Sequence, residues 1–268
     1  MTTTPPPFDP PSDPSAPPAP PPAPSWGTGG LGLRPNEQVR VAFRRRHETD
    51  DIFTGPGLNC FLTLITCGIF GFYLLYKLVQ RMREHNRRRV QLLDGATTFA
   101  WERAIEQGLD EELRPGFERI AGHLEPLRRM TRDFRDPAAW LGIALAATVF
   151  ANAGFVVFMI VFYLLDDDLH QHDTNEGAIE AELAAIYTRL GHALPAPDPQ
   201  RVQGKHNYAG RIIATIATCG IYGLWWLYDM QVGPNQHFAV NWAWEDELAT
   251  AVQAMEPATA APPPPPQE

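Results

Sequence analysis

Lysine is almost missing from this chain: Lys77 and Lys205 stand against 20 arginines. With its many alanines and prolines, this is the composition of a GC-rich bacterial genome. Basic residues as a whole are outnumbered, 22 Lys and Arg against 31 Asp and Glu, for a formal charge of −9. No basic groove-binding element accompanies that charge, which excludes nucleic acid as a partner. Cysteine is scarce too. Cys60, Cys67 and Cys219 all lie in apolar runs and form no CxxC pair, which favours small buried packing residues over a disulfide or a metal site. The N-terminus lacks a basic stretch followed by an early apolar run, so no cleavable signal peptide is expected. GxSxG, HExxH, Walker and GxGxxG motifs are absent, and no ionisable side chain lies deep in an apolar run, as an ion or proton relay would require.

Proline, by contrast, is abundant at both ends. The stretch from Pro5 to Pro24 is dominated by it, and Pro262 to Pro266 are consecutive. Such stretches bury too little apolar surface to offset chain entropy, so 1–33 and 257–268 read as disordered, polyproline-like tails.

A motif that occurs twice dominates the interior. Thr66-Cys67-Gly68-Ile69-Phe70-Gly71-Phe72-Tyr73-Leu74-Leu75-Tyr76 returns further along the chain as Thr218-Cys219-Gly220-Ile221-Tyr222-Gly223-Leu224-Trp225-Trp226-Leu227-Tyr228, with seven of eleven residues identical. Each copy sits in an apolar run, 58–75 and 212–228, and a third run covers 138–165. Runs of roughly 20 apolar residues are long enough for transmembrane helices, and the low mean hydropathy of −0.23 averages them with polar segments. The expected fold is therefore an all-α membrane protein. Three transmembrane helices, the first and third a parallel repeat, join amphipathic helices in the loops and disordered Pro-rich termini.

The expected divisions are a flank and first transmembrane helix over 34–80, a helical polar loop over 81–137, a second span at 138–165, and a loop with a short amphipathic helix over 166–208. The third span follows at 209–231 and an interfacial segment at 232–256. Asp136-Pro137 opens the second span as N-cap and first helical residue, and Asp166-Asp167-Asp168 closes it. Phe117, Ile120, Leu124 and Leu127 form one stripe in the polar loop; Ile179, Leu183, Ile186 and Leu190 form another further on. Arginines in 81–136 place that loop inside by the positive-inside rule, with the N-terminus outside and the C-terminus inside, in a multi-pass location in a bacterial cell membrane.

Thr63, Cys67 and Gly71, and equally Thr215, Cys219 and Gly223, fall at i, i+4 and i+8, a strip of small residues suited to helix–helix packing. Lys77 and Asp229 occupy equivalent positions with opposite charge, which suits either an ion pair between them or independent snorkelling of each to the interface. Asp166 to Asp173 holds the only ligand-rich stretch, with His170 and His172. Its spacing matches no established site, so no metal, cofactor or catalytic residue is assigned.

The doubled Thr-Cys-Gly-Ile-[Phe/Tyr]-Gly, followed by aromatics and Leu-Tyr, resembles the bacterial membrane family called domain of unknown function 4234. Thr218 to Tyr222 with Trp226 and Tyr228 carries the closer match; Phe70 and Leu74 depart from it. The resemblance implies a membrane protein and no particular activity. The expected function is a non-enzymatic scaffold or interaction module whose partners are the lipid bilayer and either further copies of itself or another membrane protein. The alternative is a small channel or transporter subunit.

Overall fold

The computed structural model describes residues 32–198 and 206–256; the expected proline-rich tails at 1–31 and 257–268 lie outside them. Nine helices occur among the described residues: α1 (Pro35–Arg44), α2 (Arg46–Thr49), α3 (Pro56–Ile65), α4 (Ile69–Gln107), α5 (Asp110–Arg132), α6 (Pro137–Ala151), α7 (Gly154–Arg189), α8 (Tyr208–Ala217) and α9 (Ile221–Ala254). Helices α4, α7 and α9, of 39, 36 and 34 residues, are each about 50–60 Å long at 1.5 Å per residue. They form the spine, and the other helices pack at its two ends.

The expectation of three transmembrane helices is overturned. No helix among the described residues is long and apolar enough to cross a membrane. The physical reason is that each apolar run breaks near its middle and folds back as a helical hairpin: α3 onto α4, α6 onto α7, and α8 onto α9. A multi-pass location falls with the spans, and so do the inside and outside assignments that depended on them.

The doubled motif is the turn of two of these hairpins. Cys67 and Cys219 both have φ 50°, and Gly68 and Gly220 have φ 90° and 93°, left-handed values that a helix cannot continue through. Each threonine serves both arms. Thr66 Oγ1 donates to Leu62 O at 2.7 Å and accepts from Phe70 N at 3.0 Å; Thr218 Oγ1 repeats this with Ala214 O at 2.7 Å and Tyr222 N at 2.9 Å. The amides of Gly68 and Gly220 close on Thr63 O and Thr215 O, both at 2.8 Å, in the manner of a Schellman cap. The third hairpin turns at Asn152, φ 49°.

The small-residue strip changes meaning accordingly. Thr63 and Gly71 do not share a helix but face each other across the hairpin. A Cβ on Gly71 would lie 3.3 Å from Thr63 Cγ2, and one on Gly223 would lie 3.1 Å from Thr215 Cγ2. Cys67 and Cys219 are exposed at the turns. Lys77 and Asp229 do not pair: Lys77 Nζ meets Asp51 at 2.6 Å, and Arg211 meets Asp229 at 2.8 Å.

Downstream, helices run on where the sequence suggested breaks. Helix α4 continues through Asp94 and Gly95 to its cap at Gly108, and α7 continues through Asp166–Asp168, where Asp166 is 2.7 Å from His206 Nδ1 and Asp168 is paired with Arg135. The stripe at Phe117, Ile120, Leu124 and Leu127 on α5 packs against Ile179, Leu183 and Ile186 on α7 in a lower core that also takes in Trp101, Trp244 and Leu248. An upper core, built from the hairpins, contains Leu74, Leu75, Leu78, Val161, Phe162 and Trp226. Between the two lies a layer of buried charge.

Two measurements test this account. Gly68→Ala and Gly220→Ala should each lower stability by about 1–2 kcal/mol in chemical denaturation, the cost of a Cβ in left-handed backbone, whereas Cys67→Asn should be near neutral. The second concerns Asp94, whose carboxyl is pushed up to about 6 by burial, against the opposing pull of Arg128 at 2.5 Å. The folded state then holds a proton that the unfolded chain has released, so stability falls as pH rises from about 4 to 6. Asp94→Asn should gain up to ~3 kcal/mol over the parent at pH 7.5 and nothing at pH 4.

A candidate metal centre

The buried layer is built by i, i+4 spacing on the three long helices. Helix α4 presents Arg81, His85, Arg88 and Arg89; α7 presents His172, Asp173, Glu176 and Glu180; α9 presents His237, Asn241 and Glu245, and all of these are buried. Side chains four apart on a helix share a face, so each helix turns one polar face to the common axis. The long helices reach the same level because each starts at a hairpin turn. His85 and His237 lie equally far along their helices from Ile69 and Ile221, roughly four and a half turns, and His172 lies about five turns from Gly154.

Two arginines hold the layer together. Arg88 bonds Asp50 at 2.6 Å and both Glu245 oxygens at 2.8 Å. Arg89 bonds Glu176, Glu180 and Glu245, the last at 2.7 Å. Burial works against the Arg89 charge, but these three carboxylates outweigh it and raise its pKa above the usual guanidinium range. Arg81 is instead pulled down to about 9 by burial, against the charge of Asp51. Its Nη2 donates to Met230 O at 2.8 Å, the carbonyl left without a helical partner because Pro234 has no N–H.

Three histidines converge beside this network. The ring centroids of His85, His172 and His237 are 5.1, 5.3 and 5.5 Å apart, with interplanar angles of 66°, 70° and 75°. His85 Nδ1 is 3.0 Å from Asp50 Oδ1, and His237 Nδ1 is 3.0 Å from Asp173 Oδ1. A carboxylate only accepts, so His85 Nδ1 carries its proton and that neutral ring turns the lone pair of Nε2 toward His237. The two Nε2 atoms face each other at 3.2 Å. Burial drives His85 down to about 3, with Asp50 opposing the shift and the neighbouring histidines adding to it. At Asp50, burial is outweighed by His85 and Arg88, which hold its carboxyl well below the usual range.

Glu176 completes the group. Its Oε2 is 3.4 Å from His237 Nε2 and 3.5 Å from His172 Nε2, and one ligand atom from each of the four residues falls within 4.8 Å of every other. Neither nitrogen of His172 makes a hydrogen bond. A tetrahedral ion with bonds of about 2.0–2.1 Å has ligand–ligand edges of roughly 3.3–3.4 Å, so separations of 3.2, 3.4 and 3.5 Å fit one. Asn241 Nδ2 donates to Glu176 Oε2 at 3.1 Å and lies 3.1 Å from His237 Nε2. A surface pocket of about 390 Å³ bounded by Phe134, Arg135 and Asp168 includes none of the four ligands.

Sequence reasoning assigned no metal and weighed His170 with His172. The structure takes His172 alone of that pair and joins it to His85 and His237, which stand 152 positions apart. One signal was present: the repeat offset, continued past the motif, carries His85 onto His237.

Removing Arg89 should expose the energetics of the layer. Arg89→Leu strands Glu176 and Glu180, leaves Glu245 to Arg88 alone, and should cost about 3–5 kcal/mol in urea unfolding. Arg89→Lys should recover only a minor part, because one ammonium cannot reproduce the planar fork. A loss below about 1 kcal/mol for the leucine variant would contradict the arrangement.

Comparison with known proteins adds no assignment: no protein-family model, no curated protein and no solved structure matches this chain. The resemblance to domain of unknown function 4234 continues to rest on the two motif stretches alone.

Proposed function

We propose that this chain is a metal-clamped helical scaffold, holding one divalent transition-metal ion of the zinc type through His85, His172, His237 and Glu176. The observation that carries the reading is the approach of two Nε2 atoms to 3.2 Å, with Asp50 bonded to the far nitrogen of His85 and Asp173 3.0 Å from that of His237. That carboxylate–histidine arrangement is the usual outer shell of a metal site. Three imidazoles and one carboxylate suit zinc and its neighbours rather than magnesium or calcium, which prefer all-oxygen ligands. Four protein ligands, all buried, leave no open coordination position of the kind a catalytic zinc keeps for water. This favours a structural ion that fixes α4, α7 and α9 to one another, and with it a non-enzymatic protein that acts by presenting surfaces.

Elemental analysis of protein purified without a polyhistidine tag is the test. The parent should carry about one equivalent of a first-row transition metal per chain. His172→Ala and His237→Ala should each lose it, while His170→Ala, beside the ligand set but outside it, should keep it. Metal below about a tenth of an equivalent in the parent after growth with added zinc would overturn the reading, as would equal content in the parent and both ligand variants.

A further inference from the structure

The three hairpins leave a large apolar surface exposed at the end of the molecule remote from the metal centre. Phe150 is 87% exposed, Val149 74%, and Ile69 and Ile221 73% each. Ring contacts join the hairpins: Phe72 meets Phe158 at 5.4 Å, and Phe162 meets Trp226 at 5.6 Å. The tips therefore form one platform. Contiguous apolar patches of this kind are rare on soluble monomers and mark an interaction surface.

We infer that this platform inserts into one leaflet of a phospholipid bilayer. Four observations favour lipid over a second copy of the chain. First, exposure occurs on both arms of each hairpin and at its tip: Leu64 and Tyr73, Ile143 and Ile160, Ile213 and Trp225. A helix that is apolar all round suits a fluid that surrounds it, whereas a protein partner covers one face. Second, the two motif turns satisfy their own polar groups. The Thr66 and Thr218 hydroxyls and the Gly68 and Gly220 amides are all bonded within the hairpin, as backbone in hydrocarbon must be.

Third, the depth fits. The first charge after each turn is Lys77, Asp166 or Asp229. Lys77 and Asp229 lie roughly two turns beyond Ile69 and Ile221, and Asp166 lies about three beyond Gly154. The uncharged zone is therefore about 12–18 Å thick, close to half of a hydrocarbon core of ~30 Å. No crossing is implied. Fourth, the zone ends in a collar of ion pairs with aromatics beside them. Lys77–Asp51 and Arg211–Asp229 measure 2.6 and 2.8 Å, and Arg211 lies 5.2 Å from the exposed Trp225 ring. This is the composition that bilayer interfaces favour. His85 and His237, further down the same helices, would sit about 24 Å from the tips, below the collar and clear of the lipid.

Flotation with vesicles of phosphatidylcholine and phosphatidylglycerol in a 3:1 ratio tests the inference on the full chain. The parent should float with the vesicles, and Phe150→Glu combined with Ile69→Glu and Ile221→Glu should lower the bound fraction at least about tenfold. Unchanged helical circular dichroism and urea midpoint in the triple variant would show that the fold persists. A polarity-sensitive fluorophore on Cys67 or Cys219 should shift to the blue on binding, and its emission should stay insensitive to an impermeant quencher trapped in the lumen. Failure of the parent to float, or flotation undiminished in the triple variant, overturns the inference. Quenching from the lumen would reveal a crossing and overturn it too. A stable dimer that shields the tips without binding vesicles would assign the platform to a second copy. None of these readouts depends on metal occupancy, so the two readings can fail separately.

Discussion

A charge can be buried only beside its opposite, and that rule organises this protein. Arg88 and Arg89 lie between two apolar cores, buried away from water, so every unit of their charge must be met by carboxylates on other helices. Asp50, Glu176, Glu180 and Glu245 come from the end of α2, from α7 and from α9. A relative slip of α4, α7 or α9 by one turn, about 5.4 Å along the axis, would break several of these bonds at once. Apolar contacts above and below tolerate such a slip far better, because they are non-directional. The ionic layer therefore sets the register, and the hydrophobic cores supply the drive.

The histidines inherit that register. Their convergence requires three helices to agree in depth to within a fraction of a turn, and each ring must also be rotated correctly about its own bonds. Asp50 connects the two demands. One of its carboxylate oxygens orients His85 at 3.0 Å, while the other accepts from Arg88 and from Trp242 Nε1, at 2.6 and 2.7 Å. The group that fixes helix register thus also fixes an imidazole tautomer. Phe238 stacks on His85 at 4.3 Å and seals the upper side of the layer.

Much of the local structure was legible in the sequence. The amphipathic stripes of α5 and lower α7 follow from their spacing, and Asp136 caps α6 through the amides of Ala138 and Ala139, both at 3.0 Å. What misled was the apolar run. Hydropathy over 58–75 measures only how apolar a segment is, and a hairpin of two short helices scores like one long helix. The decisive residues were Cys67-Gly68, whose left-handed backbone ends a helix, and Thr66, whose hydroxyl starts the next. Glycine followed by aromatics reads equally well as a packing face, and that reading placed Thr63, Cys67 and Gly71 on a single helix. The ionic layer was hidden for a different reason. Arg88 and Arg89 sit in an arginine-rich stretch whose ordinary reading is a solvated flank. Only tertiary structure reveals their partners Glu176 on α7 and Glu245 on α9, which are distant in sequence.

Helix boundaries repeat with the motif: α3 and α8 match end for end, and α4 and α9 match at their starts, all at the offset of the motif copies. Two segments folded alike and set against each other bring some equivalent positions together, though not Lys77 and Asp229. His85 and His237 meet in this way, nitrogen to nitrogen. A repeat of this kind makes a facing pair out of one repeated position, so half of the proposed four-membered ligand set follows from the repeat offset, and only the contributions of α7 lie outside it.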